Sequence, residues 1–234
     1  MPSNLTRKEL KQDNVALNVE KSFNFVSVNR KSFVRIAGAV LALALIVAAV
    51  FYYRGAQQTV REQMLGDAIA LQTAPVGGSP PNGGPSFPTD AAKRSAVQTA
   101  FQKIVSEHGG SAEAYIAEYS LAQMDIEAGK IDDARRKYQD VTDHANANYA
   151  SLAKLALAQL DFADNKPADA RNLLKDLQDH PTDLVSKNQA TYTLARGLIP
   201  TQPEEARKLL LTLASSQPEI SQAAVAAMND LPAK

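Results

Sequence analysis

The sequence has no cysteine and no tryptophan, and it has only three histidines among 234 residues. Without cysteine the chain cannot form disulfide bonds, thiolate zinc sites, iron–sulfur clusters or a cysteine nucleophile. Basic and acidic residues number 25 each, so no overall charge points to nucleic acid. No set of serine, histidine and aspartate residues suggests nucleophilic catalysis. The sequence therefore predicts a protein that is not an enzyme and that uses no cofactor, metal, nucleic acid or small-molecule substrate.

One segment is too apolar for an ordinary soluble domain. Residues 36–53 read IAGAVLALALIVAAVFYY and contain no charged side chain. A helix of this length spans roughly 27 Å, close to the thickness of a hydrocarbon core, and the terminal Phe-Tyr-Tyr is typical of a membrane interface. A cleaved signal peptide is the alternative, but 35 residues precede the segment and no small-residue cleavage site follows it. We therefore predict a transmembrane signal anchor over residues 36–53.

The charges that flank this segment predict its orientation. The preceding tail, residues 1–35, contains seven basic and three acidic residues, whereas only Arg54 and Arg61 follow the span closely. Basic flanks remain on the cytoplasmic side, so we expect a cytoplasmic N-terminus and an exported region over residues 54–234. The tail has a weak amphipathic pattern, which leaves two interpretations open: a short cytoplasmic tail, which we favour, and a helix on the membrane surface.

A segment rich in proline and glycine interrupts the exported region. Nine of the fourteen residues from 75 to 88 are proline or glycine, so we predict a flexible insertion over residues 75–90. Before it, apolar residues recur at intervals of three and four, which predicts a first repeat helix over residues 54–74.

Residues 91–234 contain a repeat of 36 residues. Asp-Ala-Arg occurs at residues 133–135 and 169–171, and Glu-Ala-Arg occurs at residues 205–207. A helix–turn–helix unit of this length, with small residues at the helix contacts, resembles the tetratricopeptide repeat. We predict an all-α protein, in which an N-terminal transmembrane helix is followed by a solenoid of tetratricopeptide-like hairpins. Residues 218–231 supply its C-terminal capping helix.

The histidines follow the same interval, at His108, His144 and His180. Equivalent positions of a solenoid lie roughly 10 Å apart, whereas a metal ion needs its nitrogen ligands at about 2 Å. We therefore interpret each histidine as a residue that closes a helix, where partial positive charge is favourable.

In tetratricopeptide arrays the first helix of each hairpin lines a concave groove. When the groove positions of that family are carried over to this sequence, they fall mostly on large apolar and amide side chains, namely Ile116, Tyr119, Gln123, Leu152, Leu155, Gln159 and Phe162, and in the third hairpin on Asn188, Thr191 and Ala195. This set is the predicted partner-binding groove. The alternative is that these side chains are buried against the cap, the insertion or another copy of the chain.

The overall layout resembles one bacterial group. A basic tail with TRKELKQD near its start, one membrane span and a short tetratricopeptide-like domain are similar to the YfgM-type ancillary subunits of the SecYEG translocon. The resemblance implies an inner-membrane protein with a periplasmic repeat domain. It also implies translocon components, periplasmic chaperones or exported chains as partners, and a role in assisting newly exported proteins. A scaffold for cell-envelope or division machinery is the alternative function.

Overall fold

The computed structural model describes residues 30–78, 84–216 and 218–232. The chain divides into two compact units, residues 1–59 and residues 60–234. Residues 1–29, which make up most of the basic tail, lie outside the described residues. Both interpretations of the tail concern these residues.

The described part of the first unit is helical. It belongs to helix α1, Arg30–Thr73, whose apolar window has a mean hydropathy of 2.5 and no buried residue. By length and composition this helix can cross a membrane. The predicted span and the predicted first repeat helix thus share one uninterrupted helix. Its interior contains Gly38, Gly55 and Gly66 but no proline, and each glycine costs a helix only about 1 kcal/mol.

The described part of the second unit consists of the last turns of α1 and a row of shorter helices. These are α2 Asp90–His108, α3 Ala112–Glu127, α4 Ile131–His144, α5 Ala147–Ala163, α6 Pro167–Asp179, α7 Lys187–Leu198, α8 Pro203–Ser216 and α9 Pro218–Met228. From α2 onward each helix packs against the next one along the chain, and α3, α5 and α7 also contact one another in succession. The architecture confirms the predicted all-α fold of tetratricopeptide-like hairpins.

Local sequence signals set the ends of these helices. Ser111, Asn146 and Ser186 begin the first helices of three hairpins, and each side chain accepts a hydrogen bond from a backbone N–H three residues later. Two second helices, α6 and α8, begin with proline, which loses no hydrogen bond at that position. Gly129 and Asn165, which are 36 residues apart, both adopt positive φ at the turns inside their hairpins.

The hydrophobic core follows the 36-residue interval. Ala134, Ala170 and Ala206 are completely buried, as are the bulky Leu174 and Leu210 that follow four residues after the second and third alanines. Small side chains let neighbouring helices approach closely, and the larger ones fill the space between successive hairpins. The predicted register of the second helices is therefore confirmed.

The proline- and glycine-rich segment has a closed base. The N–H of Gly77 donates to the carbonyl of Phe87 over 2.9 Å, and the N–H of Phe87 donates to the carbonyl of Pro75 over 3.1 Å. Backbone hydrogen bonds therefore join the end of the segment that follows α1 to the end that precedes α2. The composition of the segment did not predict this pairing.

Candidate protein-binding groove

The first helices α3, α5 and α7 lie side by side and form a row of cavities. The first cavity, of about 460 Å³, lies between α1, α2 and α3, the second, of about 260 Å³, lies between α3 and α5, and the third, of about 370 Å³, lies between α5 and α7. Gln123 and Glu127 line both the first and the second cavity, and Gln159 lines both the second and the third. The three cavities thus form one continuous surface, which we call the first-helix groove.

The character of the first-helix groove changes along its length. Its first cavity carries charges of both signs, from Asp90, Lys93, Arg94 and Glu127. Its second cavity is lined mainly by apolar and aromatic side chains. Its third cavity combines two aromatic rings with Arg196.

The structure brings three of the predicted groove residues to these cavities. Gln123 and Gln159 are exposed, and Phe162 is half-buried in the third cavity. Their part in binding a partner stays a prediction. Ile116 and Leu152 are also half-buried but do not line the three cavities.

Tyr119 belongs to an aromatic cluster. Its ring centroid lies 5.4 Å from that of Tyr138 and 6.2 Å from that of Tyr149. Such spacings are favourable for tilted and edge-to-face rings. Tyr119 is half-buried, and it fills space between α3, α4 and α5 as well as facing outward.

Leu155 lies beneath the groove rather than on its surface. Its exposed fraction is only 7%, and it packs with Ala158, Leu174 and Ala190 in the core between α5, α6 and α7. The reason is geometric, because α5 has a further hairpin on this side and Leu155 points toward it. We therefore assign Leu155 to the core.

On α7 the residues that line the cavity differ from the predicted Asn188, Thr191 and Ala195. The 36-residue interval makes Ala195 equivalent to Gln159, but Ala195 is completely buried and Arg196 lines the cavity instead. The connection before α7 is also longer than the earlier one, since seven residues separate α6 from α7 and only two separate α4 from α5. The 36-residue interval therefore does not carry over to the groove positions of α7.

Ion pairs join successive hairpins on another face. Arg135 lies 2.6 Å from the carboxylate of Asp161 and 2.8 Å from that of Asp164, and Arg171 lies 2.6 Å from that of Glu205. The hydrogen bond from Arg171 lowers the pKa of Glu205. The 36-residue interval would also suit a ladder of basic side chains for an acidic partner, but Arg135 and Arg171 are both paired with carboxylates within the fold.

A pair of carboxyl groups lies between α3 and α4. Burial, together with charge repulsion from Asp140 and a hydrogen bond that the protonated Glu118 donates to it, raises the pKa of Glu118 to about 7. The pair is outside the groove cavities, so we treat it as a feature of stability.

The histidines lie at helix ends, as the sequence predicted. His108 and His144 end α2 and α4, and His180 directly follows α6. The rings of His144 and His180 lie 3.1 Å from carboxylates one turn earlier in the chain. Among the described residues no group of three histidine, aspartate or glutamate side chains is arranged to hold a metal ion.

Comparison with known proteins gives one match. A family model described as a tetratricopeptide repeat-like domain matches residues 31–181, a stretch that begins in α1 and ends just after α6. No curated protein and no solved structure matches the chain.

Proposed function

Because the chain belongs to the tetratricopeptide repeat-like domain family, we propose that it is a membrane-anchored module that binds other proteins through its first-helix groove. Domains of this family commonly mediate protein–protein interaction. The observation that supports the groove is its continuity, since Gln123 and Gln159 each line two consecutive cavities. A surface of this kind suits an extended segment of a partner, whose backbone can bond the two side-chain amides.

The anchor in this proposal is α1. Its apolar residues are exposed along the predicted span, with Leu41 and Leu45 at 62% and 63%, and a lipid bilayer would cover them. The basic excess before the span favours a cytoplasmic N-terminus and a groove outside the cytoplasm. A reporter that is active only after export should work when it is fused behind residue 234, and activity of a cytoplasmic reporter there would overturn this orientation.

For the biological role we propose an ancillary factor of the bacterial inner membrane that acts near the translocon. In that role the groove would contact translocon subunits, periplasmic chaperones or newly exported chains. Support comes from the layout of tail, span and repeat domain, which resembles the YfgM-type subunits.

Site-specific photo-crosslinking in intact cells tests this function. A photoreactive amino acid at Gln159, an exposed position in the groove, should give adducts with translocon subunits, chaperones or exported chains. The matched control is Asn172, an exposed position on the second helix α6. Adducts at Gln159 with cell-wall or division proteins alone would favour the scaffold instead, and equal adducts at both positions would contradict the groove.

A further inference from the structure

The third cavity of the first-helix groove has a preformed aromatic wall. Phe162 on α5 and Tyr192 on α7 line it, and both are half-buried against the core of the last hairpins. Gly197 lies directly under the phenylalanine ring, because a Cβ atom at this position would approach the ring to 2.2 Å. Glycine therefore leaves room for the ring in this position, and a larger residue would force the ring to move. A cavity of about 370 Å³ behind this wall is large enough for one bulky side chain and part of its backbone.

The same cavity has one charged side chain, that of Arg196. Arg196 is exposed and makes no ion pair within the described part of the chain. The carboxylates beside Phe162 in the sequence, those of Asp161 and Asp164, are already bonded to Arg135. The positive charge of this cavity is therefore not compensated by the fold.

The first cavity of the groove provides the contrast. There two basic side chains, Lys93 and Arg94, share the lining with the acidic Asp90 and Glu127. A ligand gains little from its own charge where both signs are already present. The second cavity is lined by the acidic Glu127 and, among the described residues, by no basic side chain. The third cavity is therefore the part of the groove that favours a negative charge on a partner segment.

We propose that the third cavity binds an acidic segment of a partner protein, in which a carboxylate stands next to a bulky apolar side chain. The planar guanidinium of Arg196 offers paired donors that match a carboxylate. The apolar side chain packs on Phe162 and Tyr192, and the exposed amide of Gln159 bonds the backbone of the segment. This assignment rests on the proposed function, because it names the chemistry of the partner at one end of the same groove.

Fluorescence anisotropy with the full-length protein in uncharged detergent micelles tests the assignment. The probes are four labelled hexapeptides with blocked ends. The Asp-Phe peptide is Ser-Asp-Phe-Asp-Phe-Ser, and the Asn-Phe and Lys-Phe peptides have both aspartates replaced by asparagine or by lysine. The Asp-Ser peptide, Ser-Asp-Ser-Asp-Ser-Ser, has both phenylalanines replaced by serine. We expect the Asp-Phe peptide to bind about tenfold more tightly than the Asn-Phe peptide, as charge-assisted hydrogen bonds add this much. The Lys-Phe and Asp-Ser peptides should bind more weakly than the Asp-Phe peptide, and added salt should reduce the preference for acid.

Two variants separate the charge from the aromatic wall. Arg196→Gln should lower affinity for the Asp-Phe peptide about tenfold and leave the Asn-Phe peptide unchanged. Arg136→Gln removes the same charge from an exposed position on α4 and should change neither affinity. Gly197→Ala should displace the ring of Phe162 and reduce the advantage of the Asp-Phe peptide over the Asp-Ser peptide. Circular dichroism melting of each variant verifies that it is folded.

The outcomes distinguish this assignment from the proposed function. The assignment is wrong if acidic and neutral peptides bind equally, if none of the four peptides binds, or if Arg196→Gln behaves like Arg136→Gln. In any of these cases, specific photo-crosslinks from Gln159 in cells would leave the groove as a binding surface for segments of other chemistry. If the crosslinks from Gln159 were absent as well, the proposed function would be wrong.

Discussion

The apolar side chains of α1 and those of the repeat helices are of the same kinds but have opposite surroundings. Leu41 in α1 is 62% exposed, whereas Leu174 and Leu210 in the repeats are completely buried. Neighbouring hairpins remove the repeat side chains from water, and the apolar window of α1 has no such cover within the described residues. The comparison teaches that side chains of the same kinds have different surroundings in the two units. Packing covers those of the second unit, whereas the length and composition of the apolar segment in the first unit suit a lipid bilayer.

The largest expected effect sharpens this comparison directly. Leu174→Ala should cost the repeat domain about 2–5 kcal/mol, because a buried side chain is lost and a cavity remains. Leu41→Ala removes the same atoms from an exposed position of α1 and should change the free energy of unfolding by less than about 0.5 kcal/mol. Chemical denaturation of the full-length protein in detergent micelles measures both. Equal losses would mean that the apolar segment of α1 belongs to the folded core.

A smaller effect tests the close helix contacts of the repeats. Ala170→Leu should overpack the contact and destabilise the domain by about 1–3 kcal/mol, since Ala170 is completely buried. Ala168 lies on the same helix but is exposed, so Ala168→Leu is the matched control and should be nearly neutral. Thermal melting of the two variants should therefore differ by several degrees. If both melt like the wild type, the assigned register is wrong.

The smallest effect concerns pH. Burial and the neighbouring Asp140 raise the pKa of Glu118 from 4.5 to about 7, so between these values the folded chain keeps a proton that the unfolded chain has lost. The stability that this proton contributes is complete below pH 4.5 and falls as the pH rises to 7. We expect a change of about 1 kcal/mol, because the carboxyl is only half-buried and solvent screens it. Glu118→Gln should remove this slope.

The control for the pH experiment is Glu107→Gln, at an exposed position of α2. Urea denaturation at pH 5 and pH 7.5 gives the slope for each variant. An unchanged slope in Glu118→Gln would show that another group is responsible for the pH dependence.

Much of the fold follows from sequence because its signals are local. The prolines specify where helices begin. The repeated tripeptide, with its small residue and the bulky residue that follows four positions later, specifies contacts within one hairpin or between neighbouring hairpins. The uninterrupted course of α1 did not follow, since Gly55 and the charges after the span also suit a break. The hydrogen bond between Gly77 and Phe87 was also not predictable, because composition does not indicate which carbonyl accepts a hydrogen bond from a given N–H.

The groove was partly predictable for a similar reason. Gln123 and Gln159 are spaced by one repeat and line the cavities, as a regular array requires. The interval fails at α7, which follows a longer connection, because Arg196 lines the cavity there and the predicted Ala195 is buried. Phe162 on α5 lies against Gly197 on α7. Nothing in the two helix sequences indicates that these residues meet, so this contact is seen only in the structure.

The central claim is that partner proteins contact the first-helix groove, and a crosslinking profile in intact cells tests it most directly. Photoreactive residues at Gln123 and Gln159 lie one repeat apart in the groove, and those at Arg136 and Asn172 lie one repeat apart at exposed positions on second helices. The adduct yield with other proteins is measured at all four positions of the full-length protein in intact cells. We expect adducts from both groove positions and only background from the other two. Equal or greater yields from Arg136 and Asn172 would contradict the claim.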